Sequence, residues 1–357
     1  MEFGINFFPV VDPESKGAAQ YYEESLRLVE AAEAAGFAHV QTVEHYCSPY
    51  GGYSPDPVLF LTAAAMRTSR IRLITGAVIA AFEHPVKLAS RLAVLDNLSR
   101  GRLDVGFGRG FLPREFDLFG FSMDESRARF QEGIEACRRL WSETDVVWDG
   151  KFHSFGPVTL SPRPYSAPHP RIYVASASTP DSCAAAGREG YGIQVVPSVV
   201  SVDRLQEMVR RYRDAWAEAG HAEPAPRVQI KYTCYVADDR ETAMTVADTW
   251  ERNYIAMMAR EVAALAEVRS ADYPGYETFA DKVKKYSLGK ALADNKVLVG
   301  TPAEVTAQLE TIGEWFGRDI CVSLQFNPGA MPEAQSRRSF ELFAEGVMPK
   351  FAEAAGE

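Results

Sequence analysis

Three kinds of side chain in this sequence stand where short apolar runs give way to loops, and each could do chemistry there. Glu44-His45-Tyr46 closes one such run. An imidazole at that point can exchange protons near neutral pH; the other reading is a histidine that only ties down its loop. Gly106-Phe107-Gly108-Arg109-Gly110 closes a later run. It is not G-x-G-x-x-G, because position 111 is Phe, and no acidic residue follows at dinucleotide spacing. The glycines let a flat ligand or a neighbouring segment come close. Arg109 is either an anion ligand or half of a surface ion pair. Ser126-Arg127 opens a helical stretch, and Ser176, Ser178 and Thr179 stand where another run meets a helix. Hydroxyls and free N–H groups at a helix start favour an anion, and arginine adds charge-assisted hydrogen bonds. Plain N-capping explains any single hydroxyl. Two arginines and several hydroxyls on adjacent loops read as a phosphate pocket. Trp250 either stacks beside a flat ring or fills core, and His84 reads as structural.

These residues need a scaffold that gathers strand ends at one mouth. Strand-like runs at Phe3–Phe8, His39–Glu44, Ile71–Ile79, Leu103–Gly108, Arg171–Ala175, Gly192–Val196, Val228–Val236 and Ile320–Phe326 alternate with longer helical patterns. Gly36 stops the first helix, and Asp124 with Ser126 mark the start of the one at Arg127. The alternation predicts a (β/α)8 TIM barrel, with a doubly wound open sheet as the alternative. In a barrel, function sits on the loops that follow the strands. The expectation is a single domain over 1–357 with insertions near 145–168 and 260–298. Lys282, Lys284, Lys285 and Lys290 in the second insertion belong to a lid or to a solvated basic loop.

Composition narrows the partners. The chain has 357 residues, 46% of them hydrophobic, enough for a large core without disulfides or metals. A net charge of −10 disfavours nucleic acid or an anionic membrane surface. Five scattered cysteines without a C-x-x-C pair read as reduced thiols of a cytoplasmic protein. Six histidines show no metal spacing. The opening MEFGINFFPV does not read as a signal peptide, and no apolar run reaches the ~18–20 residues that span a bilayer.

Taken together, the motifs resemble the bacterial luciferase-like family of flavin-dependent monooxygenases, in particular its alkanal monooxygenase alpha-subunit type, over almost the whole chain. Met1-Glu2-Phe3-Gly4, Gly36-Phe37 with Val43-Glu44-His45-Tyr46, and Thr75-Gly76-Ala77-Val78 with His84-Pro85-Val86 carry the first part. Leu95-Asp96-Asn97-Leu98-Ser99-Arg100-Gly101-Arg102, Gly108-Arg109-Gly110, Ser126-Arg127, Ser176-Ala177-Ser178-Thr179 and Val299-Gly300-Thr301-Pro302 carry the rest. The resemblance implies that Arg109, Arg127, Ser176 and Thr179 hold the phosphate of FMN. It implies that the isoalloxazine lies over the Gly76–Ala77 bond, which family members often hold cis, with the backbone of Val174 and Ala175 at the ring's polar edge and Trp250 nearby. His45 would be the catalytic histidine and Glu44 its support. The implied activity is oxidation of a small organic substrate, carbonyl or aromatic, by FMNH2 and O2 through a flavin C4a-peroxide. A separate reductase would supply the reduced FMN, and the family's usual state is a homodimer through the second and third helices. Gly108 and Ala175 stand where luciferases carry a cysteine and an acidic residue, departures that point away from light emission and a long-chain aldehyde. A deazaflavin-dependent oxidoreductase on the same barrel and a non-catalytic flavin-binding partner subunit are the alternatives. The joint presence of His45, Arg109 and Arg127 argues against the second of these.

Overall fold

The computed structural model describes residues 1–221, 228–268, 270, 272–273 and 276–352. In chain order, β1 (Glu2–Phe7) leads to α1 (Ala18–Ala34), and β2 (His39–Thr42) to α2 (Pro57–Arg67). β3 (Arg72–Thr75) and the two-residue β4 (Val78–Ile79) lead to α3 (Pro85–Leu98), and β5 (Leu103–Gly108) to α4 (Pro113–Phe119) and α5 (Ser126–Ser142). A hairpin of β6 (Val146–Asp149) and β7 (Ser154–Val158) precedes β8 (Arg171–Ala175) and α6 (Pro180–Arg188). β9 (Gly192–Val195) leads to α7 (Val202–Ala219), and β10 (Val228–Val236) to α8 (Arg240–Val262), α9 (Phe279–Lys284), α10 (Leu288–Ala293) and β11 (Leu298–Gly300). α11 (Pro302–Phe316), β12 (Ile320–Gln325) and α12 (Glu333–Gly346) complete the chain.

The strands β1, β2, β3, β5, β8, β9, β10 and β12 pair in that order, and β12 returns to β1. Every one of these pairings is parallel, so the sheet closes into the eight-stranded barrel that the alternation predicts and the open-sheet alternative falls. Helix starts are set just beyond the strand ends by local signals. Asp56 accepts from the N–H groups of Val58 and Leu59 with Pro57 in the first turn of α2, and Thr301 and Glu304 form a reciprocal capping box on α11.

The period-two alternation of a strand sorts its residues into two environments. Facing the helices, Val40, Leu73, Val105, Ile193, Ile230 and Val322 are fully buried apolar core. Facing the barrel axis, His39, Gln41, Gln194, Gln229 and Ser323 are buried and polar. His39 Nε2 lies 2.9 Å from Ser323 Oγ and 3.0 Å from Gln229 Nε2. Gln194 donates to the Thr75 carbonyl at 3.1 Å, and Ser323 to Gln41 at 3.2 Å. This network is a polar floor beneath the mouth. Gly4 is required there, since a Cβ on it would fall 2.2 Å from the His39 ring.

The structure corrects four expectations. The third strand is not continuous over Ile71–Ile79: it breaks between β3 and β4, where the Gly76–Ala77 bond is cis. α4 and the short β11 were not expected, because each is only a few residues long and shows no full apolar period. The region read as irregular after α8 contains α9 and α10. Asp124 and Ser126 do not cap α5: Glu125 holds the cap position without a side-chain bond, and Ser126 is the first helical residue. The side chains of Lys282 and Lys284 lie outside the described residues.

Candidate active site at the barrel mouth

The segment after β2 carries His45 to the mouth, and α4 brings Glu115 to meet it. His45 Nδ1 lies 3.0 Å from Glu115 Oε1, and the Tyr46 N–H donates to the same oxygen at 2.9 Å. Both side chains are buried. With Nδ1 held by a carboxylate, the N–H tautomer sits there and Nε2 is the nitrogen left to exchange a proton with a bound molecule. Aromatic rings enclose the imidazole: Phe8 at 5.2 Å, Tyr50 at 5.5 Å and Phe111 at 6.0 Å between centroids. Tyr254 of α8 extends this wall, 5.8 Å from both Phe8 and Tyr50. Sequence reasoning missed Glu115 because it missed α4. The available signal was Pro113 at a helix's first position with an acidic residue two places on.

Glu44 turns the other way. Its Oε1 accepts from the Tyr46 hydroxyl at 2.6 Å and its Oε2 from the Ile79 N–H at 3.0 Å. Burial pushes its carboxyl up to about 8, against the two hydrogen bonds that lower it. Glu44 thus clamps the end of β2 to β4, next to the cis Gly76–Ala77 bond. On the axial side of that bond, Lys231 of β10 donates to the Gly76 carbonyl at 2.6 Å. Sequence reasoning missed Lys231 as well: an isolated lysine in a strand reads as exposed.

Arg109 and Arg127 converge on two adjacent residues of the segment after α8. The Arg109 guanidinium stacks on the Tyr273 ring at 4.2 Å, and its Nη1 is buried with no partner among the described residues. Arg127 donates to Asp272 from Nε at 3.0 Å and from its backbone N–H at 3.2 Å. Ser126 is buried with its hydroxyl against that of Tyr273, and Tyr273 donates to the Gly110 carbonyl at 2.8 Å. A carboxylate therefore rests on a guanidinium and an N–H of the first turn of a helix, the donor set that suits a phosphate.

Ser176 and Thr179 lie on the neighbouring loop, since β8 pairs with β5. Ser176 donates to the Thr179 carbonyl at 3.3 Å. Thr179 holds the cap position of α6, yet its side chain caps nothing, which leaves the hydroxyl for another partner. No hydrogen bond among the described residues joins this pair to the two arginines. Val174 and Ala175 end β8 beside Ile193 and Gln194. Trp250 stands at the rim, half-buried, against the loop at Gly329 and the cluster of Tyr235, Val299 and Met331.

The residues fit a phosphate-bearing cofactor on one observation, the buried Arg109 Nη1 that has no partner among the described residues. Gly76 and Gly108 are set by packing within the chain: a Cβ would fall 1.8 Å from Gln41 Nε2 at Gly76 and 3.0 Å from Ala77 and Ile79 at Gly108. Among the described residues there is no cluster that could hold a metal ion and no helix long and apolar enough to cross a membrane.

Fold and site together define a TIM barrel with a carboxylate-paired histidine and two arginines on the loops at one mouth. Residues 1–319 match the family described as luciferase-like monooxygenase, and the chain belongs to that family. The chain is 30% identical over 346 residues to the flavin-dependent trigonelline monooxygenase, oxygenase component, of Acinetobacter baylyi, covering 94% of this chain and 91% of that one. It is 50% identical to the monooxygenase RslO1 from Streptomyces bottropensis, with a TM-score of 0.89 over 99% of this chain and 100% of the other. The oxygenating constituent of 3,6-diketocamphane monooxygenase from the CAM plasmid of Pseudomonas putida, solved with FMN, shares the fold at 23% identity, with a TM-score of 0.82 over 98% of both chains.

Proposed function

We propose that this monooxygenase binds reduced FMN at the barrel mouth and uses it with O2 to oxidise a small organic molecule, an aromatic one in preference to an aliphatic one. The observation that carries the reading is that Arg109 packs on Tyr273 with Nη1 unpartnered among the described residues while Arg127 pairs with the adjacent Asp272, beside a mouth in which His45 and Glu115 are paired. Flavin dependence in the Acinetobacter baylyi relative supports the cofactor. In this reading Arg109, Arg127, Ser176 and Thr179 hold the phosphate, and the ring rests on the Gly76–Ala77 peptide. The end of β8 at Val174 and Ala175, and Trp250 from the middle of α8, border it.

When bound, the cofactor supplies the activation of O2. The chain's own part is positional and protonic. Glu115 fixes the tautomer of His45, so that Nε2 can give or take a proton at the reacting oxygen. Phe8, Tyr50, Phe111 and Tyr254 exclude water and present flat faces to an aromatic substrate. Glu44 supports the Gly76–Ala77 peptide and does not act on substrate.

In the same reading the chain is one domain with two insertions and a cytoplasmic enzyme, and receives reduced FMN from a separate reductase. Leu59 and Met66 of α2 and Val94 and Leu98 of α3 are exposed, and this apolar face supports a homodimer through those helices. The test is turnover with a flavin reductase, FMN and 18O2 over matched aromatic and aliphatic substrates. One labelled oxygen in an aromatic product is expected. FMN-independent turnover, or label only in water and hydrogen peroxide with every substrate, overturns the reading.

A further inference from the structure

Lys231 has no part in the chemistry above. It sits on the axial face of β10, in register with Ser323, one inward position above Gln229, which contacts His39. Its ammonium has three donors. Among the described residues the Gly76 carbonyl, at 2.6 Å, is its acceptor, and no carboxylate pairs with it. Ser323, in register with it on β12, contacts His39 and Gln41 of β2, and these groups carry no negative charge. Burial, with the charges of Lys231 and Arg72, pushes His39 down to about 3, so it stays neutral. Arg72, the other cation near His39, is already paired with Asp104. A partly buried amine without a counter-ion is driven toward its neutral form and gains from an anionic partner.

We propose that Lys231 is the counter-charge for the reduced flavin ring, held beneath the peptide on which that ring rests. The inference depends on the FMN reading above. A reduced flavin becomes an anion by losing one ring proton, whereas the oxidised ring is neutral. A cation in a low-dielectric site therefore favours the reduced form over the oxidised one. Burial alone pushes the Lys231 amine down to about 7, so above neutral pH the empty site holds mostly the neutral amine. Binding the anion then draws one proton from solvent onto Nζ. The outcome is a site that selects the form of FMN a reductase delivers.

The experiment is anaerobic titration of the full chain with oxidised and reduced FMN, for wild type and Lys231→Met. Calorimetry of wild type at about pH 8, in two buffers of different ionisation enthalpy, counts protons. Wild type is expected to bind reduced FMN more tightly. Lys231→Met is expected to lower that preference about tenfold or more while the oxidised-FMN Kd changes by less than about threefold. Wild type is expected to take up close to one more proton with reduced than with oxidised FMN. An unchanged preference in Lys231→Met overturns the role of Lys231 and leaves the flavin reading standing. If that variant does not fold, proton counts that are equal for the two forms overturn it instead. Wild type that binds neither form overturns the flavin reading itself.

Discussion

His45 and Glu115 are separated by 70 positions in the chain and joined by one short contact. General acid–base groups contribute about 10²–10⁴-fold. His45→Ala should therefore lower coupled product formation by about 100-fold or more while FMN affinity is kept; unchanged turnover would remove His45 from the mechanism. Glu115→Gln keeps the shape but not the charge, and should lower kcat/KM by a smaller factor, since the imidazole loses the carboxylate that fixes its tautomer; unchanged kcat/KM would remove Glu115 from that role. Glu44 makes a different prediction. The unfolded chain releases its proton near 4.5, whereas the folded site holds it to about 8. The folded state thus binds more protons in that window, and its stability falls as pH rises through it. Glu44→Gln should flatten this decline, gaining about 1 kcal/mol or more on wild type between about pH 5 and pH 8. Urea unfolding at both pH values measures it, and parallel pH dependence in the two proteins contradicts it. His45, Arg109 and Arg127 were legible from sequence because strand ends in a barrel converge. Glu115 and Lys231 were not, since burial and partners at long separation leave no local pattern.

At the scale of elements, Asp272 and Tyr273, on the segment after α8, bear on the proposed anion pocket. Asp272 occupies the donors of Arg127, and Tyr273 covers Arg109. A phosphate must displace that carboxylate. Asp272→Asn should tighten FMN binding about two- to fivefold, the range that a partly exposed ion pair is worth. Equal or weaker binding in the variant would show that Asp272 does not compete. Sequence patterning marked this segment as charged and irregular but could not show where it folds, because it has no apolar period to fix its register. The opposite holds for the hairpin β6–β7: its Pro, Gly and aromatic content announced an insertion, and antiparallel pairing from Val146 to Val158 is what forms.

At the scale of the whole molecule, the barrel was legible because each strand buries an apolar residue toward its helix at every second position. The break between β3 and β4 was not legible from patterning, since Thr75, Ala77 and Val78 continue a strand-like run. The exposed apolar residues on α2 and α3 make a whole-molecule prediction. Leu59→Glu combined with Met66→Glu should turn a dimer into a folded monomer by light scattering after size exclusion; a wild-type monomer would refute the dimer. The central claim is that the loops after β5 and β8 were brought together to grip a phosphate. The most direct measurement is anaerobic binding of reduced FMN against reduced riboflavin, which differ only in that group, for wild type and Arg109→Met. Wild type should prefer FMN by about 100-fold or more, and Arg109→Met should lose most of this preference. Equal affinity of wild type for the two flavins would contradict it.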